Sequence, residues 1–179
     1  MKRYAVLAVG IVGLVFLADG VWIHVKARVA QVLLRVAFER VLRGAAEAKP
    51  WPWADAHPVA RLSLDRTGDE LVVLAGSNGR ALTFAPGHLE HTVAPGTEGN
   101  CVIVAHRDTH FAAVRELRDG DVVRVRTPQG TFAYTVVARQ VVGEKETWVT
   151  QPSSGTVLTL ITCDEPGKRL VVWASSDRG

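Results

Sequence analysis

The chain is poor in cysteine, with two in 179 residues, Cys101 and Cys163. Two thiols cannot build a disulfide framework. Either they pair with each other, or at least one stays free for chemistry. An excess of charge of one sign is also missing. Lys and Arg number 21 against 18 Asp and Glu, a net charge of +3, and the basic residues are scattered. Without a continuous phosphate-binding stripe, nucleic acid is not an expected partner. Internal repeats and low-complexity tracts are absent too. What is present is ordinary for a folded protein, 47% hydrophobic and 22% charged. The length suffices for one domain with a real core.

The slightly positive mean hydropathy comes from the N-terminus. Lys2 and Arg3 precede an apolar run over residues 4–18, and Val21, Trp22 and Ile23 follow Asp19. Counted through Ile23, the run has about the 20 residues that a bilayer-crossing helix needs. Counted to Ala18, it has the length of a signal-peptide core. The expectation is an uncleaved anchor over residues 1–24. Its orientation is not settled by charge. Lys26, Arg28, Arg35 and Arg40 after the run favour a cytoplasmic C-terminal domain, whereas the short basic head is how an exported protein begins.

Val25, Val29, Val32 and Val36 recur at helical spacing with arginines between them, which predicts a basic amphipathic helix within residues 25–48. Such a helix either lies on anionic lipid or packs on its own domain. Lys49-Pro50-Trp51-Pro52-Trp53 ends it, because prolines two apart do not fit inside a helix. The domain boundary falls there, and residues 49–179 form the globular part. Trp51 and Trp53 are expected to staple the linker to it, and Trp148 and Trp173 to fill a core.

Beyond the boundary the pattern changes to short runs of period two. Candidate strands are Val59–Leu64, Leu71–Ala75, Ala81–Phe84, Cys101–His106, Val122–Arg126, Thr131–Val142, Thr156–Cys163 and Arg169–Ala174. Turn signals such as Ser77-Asn78-Gly79 and Asp119-Gly120 separate them. Eight short strands rich in β-branched residues predict a mostly β fold, a closed or nearly closed eight-stranded barrel. Phe111–Leu117 reads as one or two helical turns.

A cysteine nucleophile acts as thiolate and needs a base or cation nearby, plus a donor for the developing oxyanion. Cys163 closes an apolar strand before the turn Asp164-Glu165-Pro166-Gly167. His106 closes another strand, and Arg169 opens the strand after the turn. If those strands pair, Cys163 and Arg169 are cross-strand neighbours at one rim. Each residue also has a plain reading: a buried small hydrophobe, a surface histidine, a solvated arginine. Asp108 either orients His106 or caps the short helix. Cys101 lies five residues before His106 and so faces the opposite side, toward the core. His88, His91, His106 and His110 have spacings of three and four, but Pro86 and Gly87 place them on loops, so neither metal nor cofactor is expected. His110 either contacts substrate or lies at the surface, and the surface is expected.

Thr159-Leu160-Ile161-Thr162-Cys163 resembles the TLxTC signature of sortases, the cysteine transpeptidases of bacterial surfaces. Gly87-His88-Leu89 and the segment from Ala105 to Phe111 look like the surroundings of the sortase histidine, and Arg169-Leu170-Val171-Val172 like the strand of its arginine. Trp51-Pro52-Trp53-Ala54-Asp55, followed by Pro58 to Leu62, resembles the single-sortase group of Gram-negative bacteria. The resemblance runs from Lys49 to the end. It departs after Cys163, where Asp164-Glu165 replaces Tyr-Pro and the loop before the arginine is short. An acidic pair there should raise a thiol pKa, unless Arg169, Lys168 and His106 offset it.

The resemblance implies a sortase-type barrel with Cys163, His106 and Arg169 as catalytic residues and Thr162 and Asp108 in support. It implies a substrate protein with an LPxTG-like C-terminal sorting signal, an amine acceptor, and a single-pass inner-membrane location with the catalytic domain in the periplasm. A hydrolytic thiol peptidase on the same site and an inactive tethered binding module are the alternatives.

Overall fold

The structure, a computed structural model, describes residues 29–176. The apolar run at residues 4–23 lies outside them. Among the described residues no helix is long and apolar enough to cross a membrane.

The first described element is helix α1, residues 29–42. It lies within the expected 25–48 and ends at residue 42 because Gly44 (φ 99°) takes the left-handed conformation. The amide of Ala45 then reaches the Arg40 carbonyl and that of Gly44 reaches the Val41 carbonyl, at 3.1 and 3.0 Å. This is the glycine-closed C-terminus that satisfies the last carbonyls of a helix.

Eight strands follow: β1 Pro58–Leu64, β2 Asp69–Ala75, β3 Gly87–His88, β4 Gly99–Ala105, β5 Val122–Thr127, β6 Gly130–Gly143, β7 Thr156–Cys163 and β8 Lys168–Ser176. They close into a barrel in the order β1-β2-β3-β4-β7-β8-β6-β5. Short 3₁₀ turns occupy Ala113–Glu116 and Trp148–Thr150.

The expected strand at Ala81–Phe84 is instead helical. Helix α2 spans Gly79–Leu82, and the Asn78 side chain accepts from the Ala81 amide at 2.8 Å. The turn signal at Asn78-Gly79 was therefore a helix cap. The eighth strand is the two-residue β3, which no pattern marked.

Alternation builds the core. Ala60, Leu62 and Leu64 of β1, Cys101, Ile103 and Ala105 of β4, Leu158 and Leu160 of β7, and Val172 and Ala174 of β8 fill the interior. On the outer face of β4, β7 and β8, Val102, Ile161 and Val171 form a second cluster with Val142 and Val149. Both faces of β4 and β7 are thus covered, so these parallel neighbours read as unbroken apolar runs. Helix α1 covers β2 from outside through Leu34 and Phe38, which meet Val72, Leu74, Ala81 and Ala85. Burying each of these two side chains stabilises the fold by about 1.5–3 kcal/mol.

Two tryptophans depart from expectation. Trp51 meets Phe84 edge-on at 5.1 Å, but Trp53 is 79% exposed and staples nothing. Trp148 and Trp173 stack at 5.8 Å, Trp173 packing half-buried on the outer-face cluster and Trp148 exposed, rather than deep in the core.

Candidate active site

Strand register assembles the site. β4 and β7 run parallel with Ala105 opposite Thr162, so the next residues along, His106 just beyond β4 and Cys163 at the end of β7, are neighbours. β7 and β8 are antiparallel with Cys163 opposite Arg169. Parity then fixes the face. Val102 and Val104 share theirs with residue 106, Ile161 with residue 163, and Val171 with residue 169. Sulfur, imidazole and guanidinium therefore start from one end of three adjacent strands, on one face. They line a cleft of about 560 Å³ together with residues 107–109, Glu144 and the turn 164–168. Cys163 and His106 are exposed and Arg169 is half-buried.

The two supporting residues sit differently. Thr162 faces the interior, buried, and its hydroxyl donates to the Ala105 carbonyl at 2.9 Å. That bond ties the end of β7 to the end of β4, immediately before the two exposed residues. Asp108 accepts from Arg107 at 2.7 Å. It does not cap the short helix, whose first turn is preceded by Ala112 with no side-chain cap.

The cysteines differ in chemistry. Both are free. Cys101 is buried, and desolvation pushes its thiol up to about 12, so it stays protonated and inert. Cys163 is exposed and open to reagents.

Cations absent from the expected set dominate the surroundings. Arg107 donates to the Asp164 backbone carbonyl and to the Asp108 carboxylate. Its guanidinium is held above its ordinary value by hydrogen bonding to Asp108 and that carboxylate's charge, with smaller contributions from Asp164 and Cys163. Hydrogen bonding to Arg107 holds Asp108 below the usual carboxylate range.

The acidic pair after the nucleophile is engaged on both sides. Asp164 meets Arg115 at 2.9 Å, and Glu165 meets Lys168 at 2.9 Å. Lys168 was foreseen as an offsetting charge, whereas Arg115 and Arg107 were not. Arg107 adjoins His106, a signal that was available. Nothing local ties Arg115 to Asp164. The short turn holds itself together through the Asp164 amide to the Lys168 carbonyl at 3.0 Å and the Lys168 amide to the Glu165 carbonyl at 2.9 Å. Gly167 supplies its positive φ of 74°.

His110 is half-buried rather than at the surface. Its Nε2 is buried with no hydrogen-bond partner among the described residues. Burial lowers its pKa, opposed by a hydrogen bond to the Thr83 backbone. His88 Nε2 lies 3.0 Å from the Val93 carbonyl and 3.2 Å from the Thr92 hydroxyl. Among the described residues no three His, Cys, Asp or Glu side chains converge as a metal site.

Comparison with known proteins gives a consistent result. A family model described as the sortase domain matches residues 62–177. Sortase D of Bacillus subtilis (strain 168) is 30% identical over 103 residues, 57% of this chain and 52% of that protein. The match thus spans about half the length of this curated relative. Among solved structures, the Clostridium perfringens sortase D5 transpeptidase is 25% identical with a TM-score of 0.64, covering 77% of this chain and 85% of that one. Sortase E from Streptomyces avermitilis is 31% identical with a TM-score of 0.61, covering 67% and 88%. The family model matches well over half of the chain, and the solved sortases share its closed barrel: the chain belongs to the sortase family.

Proposed function

We propose that the chain is a cysteine transpeptidase acting on proteins with an LPxTG-like C-terminal sorting signal. The observation that carries this reading is the register that sets Cys163 opposite Arg169 and beside His106 at one exposed strand end.

The Cys163 thiolate attacks the carbonyl carbon before the scissile bond, forming a C–S bond. Arg169 donates to the carbonyl oxygen as negative charge develops there, where a fixed donor lowers the barrier most. The C–N bond breaks, and the leaving amine takes a proton from the His106 imidazolium. The resulting thioester is attacked by an incoming amine, which gives its proton to the now neutral His106. The Cys163 thiolate leaves, restoring the starting thiolate and imidazolium, and a new amide remains. Thr162 positions the site through its bond to Ala105. Asp108 acts through Arg107, whose charge interacts electrostatically with Cys163.

The reading extends to place and class. Residues 1–24 anchor the chain in an inner membrane, with the barrel in the periplasm. The resemblance of the segment Trp51 to Leu62 supports membership of the single-sortase group of Gram-negative bacteria. An inactive binding module is disfavoured, because the acidic pair beside the nucleophile is engaged by Arg115 and Lys168.

The test mixes the full chain with a sorting-motif peptide and a free amine. Joined product supports the proposal. Cleavage with water alone as acceptor replaces it with a hydrolytic peptidase. No reaction, with Cys163→Ala indistinguishable from wild type, contradicts both.

A further inference from the structure

Helix α1 has two apolar faces. One is buried against β2 and α2. The other holds Val29, Val32, Leu33 and Val36, spaced by three and four residues and 37% to 57% exposed. Arg40 and Arg43 continue this second stripe at the same spacing and are exposed. At its N-terminal end the stripe opens into a groove of about 730 Å³ walled by Val29, Leu33, Trp51, Trp53 and Phe84. The charged residues on that groove, Arg80 and Asp55, bond each other at 3.1 Å. A contiguous apolar surface with an exposed tryptophan at its edge marks an interaction site rather than ordinary scatter.

Three observations choose the occupant. The apolar run ends at Ile23, and only residues 24–28 separate it from Val29. Even a fully extended chain of that length spans no more than about 20 Å, so whatever receives the run lies close to this face. Trp53 and Phe84 beside aliphatic residues match the composition of the layer where water meets acyl chains. The polar continuation of the stripe is cationic, which suits lipid phosphates. Facing a second copy, the stripe would offer Arg40 and Arg43 no carboxylate of its own.

We propose that this face docks on the headgroup–acyl boundary of an anionic bilayer, with Trp53, Phe84 and the valines dipping in and Arg40 and Arg43 at the phosphates. The proposal rests on the membrane-anchor reading but not on the joining reaction. Docking would hold the barrel in one orientation, not merely near the membrane.

The test uses the full chain in a Trp22→Phe background, which removes the indole of the apolar run. The probe is vesicles of zwitterionic and anionic phospholipid brominated near the headgroup. Flotation comes first. A chain that does not float with the vesicles overturns the anchor reading and this proposal together. Given flotation, tryptophan emission should be quenched by the brominated lipid. Trp53→Phe should remove most of the quenchable emission, whereas Trp148→Phe should leave it intact. The double variant Val32→Asp, Val36→Asp should also weaken the quenching, with peptide cleavage in solution unchanged. Trp53 emission that is insensitive to brominated lipid overturns the docking surface alone. If that emission is also shielded from aqueous acrylamide, a second copy covers the face; if acrylamide quenches it freely, the face is bare.

Discussion

Two thiols in one barrel differ because one strand position points inward and the other lies at an exposed strand end. Cys101 is buried and pushed up to about 12, whereas Cys163 is exposed. A neutral-pH thiol reagent should therefore modify one thiol in the native chain and two in denaturant, and Cys163→Ala should show none until unfolded. Counting modified thiols by intact mass checks this; rapid native labelling of both would contradict the burial of Cys101. Arg169 can be tested by its geometry. Lysine keeps the charge but loses the planar fork, so Arg169→Lys should lower turnover by about 10²–10³-fold, the usual loss for one oxyanion donor. Steady-state rates decide it, and full activity would remove Arg169 from the site. The placing of residues 106, 163 and 169 near strand ends was legible, because the apolar runs stop there: His106 follows β4, Cys163 ends β7 and Arg169 is the second residue of β8. Arg115 was not. It meets Asp164 only after the barrel closes, and long-range pairs leave no mark on local pattern.

At the scale of elements, periodicity succeeded where strands are long. β7 was placed at its observed ends, Thr156 and Cys163, because its apolar run is unbroken. It failed where capping overrides composition. Ala81-Leu82-Thr83-Phe84 looks like a strand, yet the Asn78 side chain turns the segment helical. β3 has two residues, too few for any period. Helix α1 lies outside the barrel but is not an ornament, because Phe38 is 1% exposed against β2. Phe38→Ala should cost about 3–5 kcal/mol of stability; a denaturant midpoint close to wild type would show that α1 is dispensable. Acid sensitivity also belongs to elements. His88 on β3 and His110 on the loop after β4 both have pKa values lowered from 6.5, first by burial. The fold favours the neutral rings, so their contribution is full above pH 6.5 and is lost as the pH falls below it, when the unfolded chain takes up protons. Thermal melts should show stability dropping over that window. A His88→Asn, His110→Gln variant should show a flatter dependence; an unchanged slope would place the effect elsewhere.

For the whole molecule, closure of the barrel turns three separate stretches of sequence into one site. β4 and β7 pair in parallel across more than fifty residues of chain, a contact that no local window contains. The eight-strand count could be read from turns and alternation, although one strand was misplaced. The strand order could not, since β7 enters between β4 and β8 through a long-range pairing that leaves no local mark. The same closure leaves the outer stripe of α1 without a partner in the described chain.

If the Cys163 sulfur forms the covalent intermediate, the intact mass of the full chain reveals it after mixing with excess sorting-motif peptide and no amine and quenching in acid. One added mass is expected, equal to the acyl part of the cleaved peptide, located at Cys163, released by hydroxylamine and missing from Cys163→Ala. Cleavage of the peptide by Cys163→Ala at the wild-type rate, or an adduct on another residue, would contradict it.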